Sequence, residues 1–108
     1  MINAIFTKKD NKLTGFEIKG HAGFDDEGRD IICASVSALV INTVNSIEKF
    51  TDDNFEESED EKAGLISLYI KGEVSDKSEL LLNSLLLGVK QISEISDGDF
   101  LNLEIKEV

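Results

Sequence analysis

The amino-acid sequence predicts an α+β domain with the element order ββαββαβ, in which two helices pack on a mostly antiparallel sheet. Residues 12–20 and 100–108 alternate apolar and polar side chains, which is typical of strands with one buried face. Residues 31–49 instead repeat apolar side chains every three or four positions, which predicts a helix. A chain of 108 residues can build one modest core, so we assign residues 1–108 to a single domain.

The first half of the chain is predicted to form a hairpin and then a long helix. "INAIFT", residues 2–7, has the composition of a strand, and the Asp-Asn pair in residues 8–11 suits a turn. The second strand covers residues 12–20, where Phe16 and Ile18 alternate with polar neighbours. The helix follows over residues 31–49.

The second half is predicted to form another pair of strands, a second helix and a final strand. "LISLYI", residues 65–70, is predicted to pair with a strand at residues 54–59. "DKSE", residues 76–79, matches a capping box and opens a helix that continues to residue 95. Its leucines cover more than one face, so we expect this helix to be well buried. In the last strand, alternate apolar residues mark the buried face: Leu101, Leu103 and Ile105.

Charge and composition exclude several classes of protein. Twenty-two acidic residues oppose eleven basic ones, and the net charge of −11 disfavours nucleic-acid binding but attracts cationic partners. Seven of the acids fall in residues 52–61, which we interpret as a solvated face. We find no apolar run of about 20 residues for a membrane span and no signal peptide. A single cysteine cannot form an internal disulfide, which agrees with a cytoplasmic location.

The segment "GHAGFDDEGRDIICAS", residues 20–35, contains the only histidine, His21, and the only cysteine, Cys33. We expect Asp30 to cap the helix and Cys33 to lie in its first turn. The start of a helix stabilises a thiolate, and the unpaired N–H groups there, of Cys33 or its neighbours, can hold an oxyanion. Three glycines allow this segment to bend sharply: Gly20, Gly23 and Gly28.

The residues alone leave several interpretations open. A lone cysteine is usually a small buried apolar residue, and a lone histidine usually has a structural role. A metal site built from His21, Asp25, Asp26 and Cys33 is disfavoured, because structural zinc sites prefer four nitrogen or sulfur ligands. A histidine and a cysteine placed across a glycine-rich loop would instead suit acyl transfer, most naturally peptide hydrolysis.

The same residues resemble a known family, the ribosomal-processing cysteine proteases called Prp. The matching elements are "GHA" at residues 20–22, a glycine-containing loop, and "GRDIICASVSAL" at residues 28–39. Chain length and element order also fit, although Ser35 stands where the family often has alanine and "FDDEG" is more acidic than in many members. The resemblance implies a His–Cys dyad, here His21 and Cys33. It also implies a set of supporting motif residues: Gly20, Ala22, Gly23, Gly28, Asp30 and Ser37.

The resemblance further implies a substrate and an assembly. Members of the family remove an N-terminal extension from a basic ribosomal protein, large-subunit ribosomal protein twenty-seven, by cutting after an aromatic residue. They are cytoplasmic homodimers, and we expect neither a metal nor a cofactor. Asp30 would cap the helix or orient His21, and Ser37 is expected to bond within the helix. Two alternatives remain: a non-catalytic acidic dimer that binds a basic ribosomal protein, and a thiol-dependent acyl-transfer enzyme acting on a small molecule.

Overall fold

The computed structural model describes residues 1–20, 29–96 and 100–108, with the backbone alone at residues 29 and 30. Within these residues, five strands form one sheet in the order β3-β4-β2-β1-β5, and every neighbouring pair is antiparallel except the parallel pair β1 and β5. Two helices complete the fold, so the predicted α+β class and its ββαββαβ order are confirmed. The elements are β1 (Ile2–Lys9), β2 (Lys12–Lys19), α1 (Arg29–Phe50), β3 (Phe55–Asp60), β4 (Leu65–Ile70), α2 (Asp76–Ile95) and β5 (Leu101–Glu107).

Strands β1 and β2 alternate as predicted and bury one face of the sheet. In β5 the prediction holds for Leu101, which is buried, but is wrong for Ile105, which is 48% exposed at the edge of the sheet. Ala4 and Phe6 of β1 lie opposite Ile18 and Phe16 of β2, and all four side chains are buried. The two phenylalanine rings lie 6.1 Å apart between centroids at an angle of 45°. Buried residues of both helices join these side chains in one hydrophobic cluster: Val36, Val40, Val44 and Ile47 of α1, and Leu82, Leu85 and Val89 of α2.

The turn between β1 and β2 is shorter than predicted. The strands extend to Lys9 and from Lys12, so the connection consists of Asp10 and Asn11 alone. Both residues have positive φ, 51° and 68°, as a two-residue hairpin of the primed type requires. Asp and Asn tolerate this geometry better than other non-glycine residues, which is why this pair predicts the turn.

Helix α1 begins two residues before the predicted start, which changes the expected role of Asp30. The helix runs from Arg29, so Asp30 is its second residue and does not occupy the N-cap position. An acidic residue is also favourable within the first turn, next to the positive end of the helix dipole, so Asp30 is compatible with a helix that already includes Arg29. The prediction that Asp30 caps the helix is therefore wrong.

Helix α1 also corrects the expectation that no segment is apolar enough to span a membrane. Residues Ile31–Phe50 have a mean hydropathy of 1.5 and meet that criterion by length and composition. In this fold Val36, Val40, Val44 and Ile47 lie in the core at helical spacing. These four side chains show that one face of α1 packs in the core of this fold.

Helix α2 is capped by Ser75 and not by the predicted capping box at residues 76–79. Ser75 Oγ accepts a hydrogen bond from the Ser78 N–H at 3.2 Å. The Asp53 carboxylate in turn accepts hydrogen bonds from the Ser75 N–H at 3.0 Å and the Ser75 hydroxyl at 2.7 Å. This bridge joins the segment before β3 to the start of α2.

The environment of Asp53 favours its charged form. Burial raises the pKa of the carboxyl, but the hydroxyl of Ser78 and the two bonds from Ser75 outweigh this effect and hold the pKa below the usual 3.8. The Ser78 hydroxyl contributes to the lowered pKa of Asp53, but its buried Oγ forms no hydrogen bond among the described residues. The two bonds from Ser75 therefore hold the carboxylate in place.

The outer side of α2 is more exposed than predicted. Leu80, Leu87 and Ile95 are 71%, 59% and 82% exposed, whereas only Ser78, Leu82, Leu85 and Val89 of this helix are buried. The sheet and α1 cover one face of the helix, so the leucines of its other face remain in contact with solvent in the single chain. The expectation of a well-buried second helix is wrong.

Candidate active site

Cys33 lies in the second turn of α1 and not in the first. Its side chain is half-buried and packs against the hydrophobic cluster. As the fifth residue of the helix, Cys33 has the carbonyl of Arg29 as the regular partner of its N–H. The donors left unpaired by the helix belong to the residues before Cys33. An oxyanion at the thiol would therefore be held by those earlier N–H groups and not by that of Cys33.

A groove of about 260 Å³ opens beside the Cys33 side chain. One wall is the face of α1 that carries Cys33, Ser37 and Ile41, which are spaced four residues apart and so lie one above another. Ile18 of β2 and Ile66 of β4 form the floor and lie opposite each other in the sheet. The groove thus places a thiol beside an apolar surface.

Gly20 borders the groove at the end of β2. Its N–H donates to the Gly64 carbonyl at 3.2 Å, which joins β2 to the turn between β3 and β4. Its φ is +107°, and a Cβ at this position would clash with the carbonyl oxygen of Met1. Glycine is required here by close packing of the backbone, whereas the sequence suggested only freedom to bend.

Ser35 and Ser37 both follow Cys33 in α1, and among the described residues only Ser35 of the two bonds within the helix. Ser35 Oγ donates to the Ile31 carbonyl at 2.7 Å and so bonds within the helix. Ser37 is exposed and lines the groove, and its hydroxyl has no hydrogen-bond partner among the residues described. The expectation that Ser37 bonds within the helix is therefore wrong.

Three acidic residues at the end of the β3–β4 hairpin line the opposite side of the groove: Glu59, Asp60 and Glu61. Sequence reasoning assigned them to a solvated face and missed this position. Asp60 Oδ1 accepts hydrogen bonds from the N–H groups of Lys62 and Ala63 at 3.0 and 3.3 Å, so it stabilises the turn. The predicted β3–β4 hairpin could have indicated this position, because its turn must lie at one end of the sheet.

Four of the predicted site residues lie outside the described residues: His21, Ala22, Gly23 and Gly28. Asp30 is known by its backbone only. The structure therefore brings together Gly20, Cys33 and Ser37 from the predicted set. Within residues 1–20, 29–96 and 100–108, no three His, Cys, Asp or Glu side chains lie together in an arrangement that could hold a metal ion.

Comparison with known proteins assigns the chain to a family of enzymes. The cysteine protease Prp family matches residues 1–100 of the chain. The chain belongs to the Prp family. It is therefore a cysteine protease, as the sequence motif indicates. A curated relative, the ribosomal processing cysteine protease Prp of Staphylococcus aureus, is 30% identical over 95 residues, which cover 87% of this chain and 90% of that protein.

Two solved structures of Prp from S. aureus share the fold over nearly all of the chain. One, in complex with a substrate peptide, superposes with a TM-score of 0.90 at 27% identity and covers 98% of this chain and 100% of the other. The second contains a covalently linked product peptide and superposes with a TM-score of 0.87 at 28% identity, with the same coverage. A Prp protease with this architecture therefore binds peptides.

Proposed function

We propose that this Prp protease uses Cys33 as its nucleophile and His21 as its general base and acid. A cysteine protease needs a thiol, and Cys33 is the only cysteine in the sequence. Its position on the wall of the groove is the observation that carries the proposal. The covalently linked product peptide in the S. aureus relative supports a covalent mechanism. For His21 the support is that it is the only histidine and follows Gly20, a groove residue.

The proposed reaction proceeds in two stages. His21 accepts the Cys33 proton, and the sulfur attacks the carbonyl carbon of the scissile bond. The unpaired N–H groups in the first turn of α1 stabilise the oxyanion. The C–N bond then breaks as His21 returns the proton to the leaving amine. Water, deprotonated by the same imidazole, adds to the thioester and releases the carboxylate and the thiol.

The proposed substrate is the N-terminal extension of large-subunit ribosomal protein twenty-seven, cut after an aromatic residue in the cytoplasm. The apolar floor of the groove can accommodate an aromatic side chain, since Ile18 and Ile66 lie next to the thiol-bearing wall. The acidic hairpin end and the net charge of −11 suit a basic protein. The curated relatives act in ribosomal processing, as their name states.

Mass spectrometry of the precursor protein tests this proposal directly. Wild-type protein should shorten the precursor at one bond after an aromatic residue, and Cys33→Ala should leave its mass unchanged. Ser58→Ala, on the exposed part of β3, is the matched control and should cleave normally. Cleavage by Cys33→Ala would contradict the role of Cys33. Binding of the precursor by wild-type protein without cleavage would favour the non-catalytic alternative. An intact precursor that does not bind would favour a small-molecule substrate.

We also propose that two copies associate through the outer face of α2. Leu80, Leu87 and Ile95 share this face with the exposed, uncharged Ser84 and Gln91. A stripe without charge is unusual in a chain with 31% charged residues, and such a stripe can pair with itself about a two-fold axis. Sedimentation should give twice the chain mass of 11.9 kDa. Leu87→Glu should give the monomer, whereas Asn102→Glu on exposed β5 should not; a monomeric wild type would refute the proposal.

A further inference from the structure

We infer that Glu59 selects a basic side chain of the substrate near the scissile bond, an inference that rests on the proposed catalytic role of Cys33. The strand register determines which way Glu59 points. Glu59 lies opposite Ile66 of β4, and Ile66 lies opposite the buried Ile18 of β2. Residues directly opposite one another share a face of the sheet. Glu59 therefore lies on the helix side of the sheet, at the edge of the apolar floor.

The wall formed by α1 faces Glu59 across this floor. From Cys33 to Ile41 the helix rises about 12 Å over eight residues. An extended peptide covers that length with about three or four residues. A substrate whose scissile carbonyl lies at Cys33 and whose chain follows α1 must therefore pass Glu59 within a few residues of the bond.

Of the three acidic residues that line the groove, Glu59 and Glu61 have side chains without a hydrogen bond or ion pair among the described residues, and only Glu59 belongs to a strand whose register gives its direction. Asp60 is engaged by the N–H groups of the turn. Glu56 is opposite Tyr69, on the other face of the strand, and pairs with Lys71 at 4.0 Å. Glu57 does not line the groove. Glu59 takes part in neither of the ion pairs found among the described residues, which are Lys12–Glu79 and Lys71–Glu56.

A lysine or arginine of the substrate matches this combination of surfaces. Its aliphatic stem can lie on Ile66 while its charged end reaches the Glu59 carboxylate. Glu59 is exposed at the rim of the groove, so this attraction should remain sensitive to salt. An acidic side chain in the same position would be repelled. Glu59 would then act as a specificity residue and not as a catalytic one.

Synthetic peptides provide the test. Ten-residue peptides with one central phenylalanine and otherwise uncharged residues carry a single lysine, moved through the positions on either side of the expected bond. Each is compared with its glutamine counterpart. Wild-type protein should prefer lysine by about fivefold in kcat/KM at one position, the scale of a favourable partly exposed ion pair.

Three variants connect this preference to Glu59. Glu59→Gln should reduce the ratio to near one, and Glu59→Lys should favour a glutamate peptide at the same position. Glu56→Gln removes the same charge from the other face of β3 and should retain the lysine preference. A wild type without any lysine preference, or a Glu59→Gln protein that keeps it, would overturn the inference. A loss of preference in Glu61→Gln but not in Glu59→Gln would overturn it as well.

A binding measurement separates this inference from the catalytic proposal. Cys33→Ala protein is titrated with fluorescein-labelled lysine and glutamine peptides, and anisotropy reports the two affinities. Preferential binding of the lysine peptide without cleavage by wild-type protein supports the role of Glu59 and contradicts the proposed catalysis. Cleavage without preference contradicts the role of Glu59 alone. If wild-type protein does not cleave the peptides and Cys33→Ala protein does not prefer the lysine peptide, both the catalytic proposal and the role of Glu59 are contradicted.

Discussion

Replacing Gly20 by alanine should destabilise the fold at the border of the groove. The added Cβ would stand far inside van der Waals contact with the Met1 carbonyl oxygen. That oxygen cannot rotate away easily, because it belongs to the planar peptide unit whose N–H, on Ile2, donates to the Phe100 carbonyl at 2.9 Å. The substitution must therefore displace β1 or the end of β2.

Gly72 allows the effect of this contact to be separated from that of backbone strain. Gly72 also has a positive φ, +81°, but a Cβ there would meet nothing within 4 Å. Both substitutions include a strain of about 1–3 kcal/mol for an unfavourable φ. This strain is offset in both by about 0.4–1 kcal/mol through the stiffer unfolded chain. The steric contact at Gly20 adds about 1–3 kcal/mol, the range for overpacked sites. We therefore expect Gly20→Ala to lower the free energy of unfolding by about 1–3 kcal/mol more than Gly72→Ala does.

Urea titration followed by circular dichroism measures both values, with the wild type as reference. Peptide cleavage under folding conditions measures the effect on the groove, and Gly20→Ala should lose activity while Gly72→Ala keeps it. Equal losses of stability in the two variants would refute the reasoning, since they would show that the Met1 carbonyl moves without cost. An active Gly20→Ala protein with reduced stability would show that Gly20 supports the fold but not the site.

Three further outcomes are expected. The pKa of Asp53 is depressed in the folded state, so the charged carboxylate stabilises the fold above its ordinary pKa of 3.8, and this stabilisation is lost as pH falls through the folded value. In urea titrations, Asp53→Asn should therefore lose less free energy of unfolding below pH 3.8 than the wild type does. Parallel plots of that free energy against pH for the two proteins would contradict this. The kcat/KM for a lysine-containing peptide should fall as salt rises from about 0.01 to 0.15 M, because the Debye length shrinks from about 30 to 8 Å; a flat profile would exclude electrostatic attraction. Ser37→Ala should raise KM by about two- to tenfold with unchanged stability, whereas Ser35→Ala, which loses the 2.7 Å bond to Ile31, should change stability and not KM.

The fold could be predicted from local patterns where the relevant contacts are local. The alternation of Phe16 and Ile18 identifies the buried face of β2, and the Asp-Asn pair identifies the hairpin turn. The cap of α2 was missed because both Ser75 and Asp76 are good capping residues in sequence. Asp53 decides between them by bonding Ser75 from 22 positions earlier. Such a long-range bond leaves no periodic signal in the sequence.

The candidate site divides in the same way between local and long-range determinants. The motif at residues 20–35 identifies Cys33, and helical spacing would add Ser37 and Ile41 to its wall. The facing wall comes from β3, where acidic residues occupy both faces of the strand, so alternation cannot show which of them point into the groove. A register shift of one residue would turn Glu59 to the opposite face. Two features of the turn between β3 and β4 favour the observed register: the hydrogen bonds of Asp60, and Gly64, whose φ is +61°. The proposed selectivity for basic substrates thus depends on this turn as much as on the charge of Glu59.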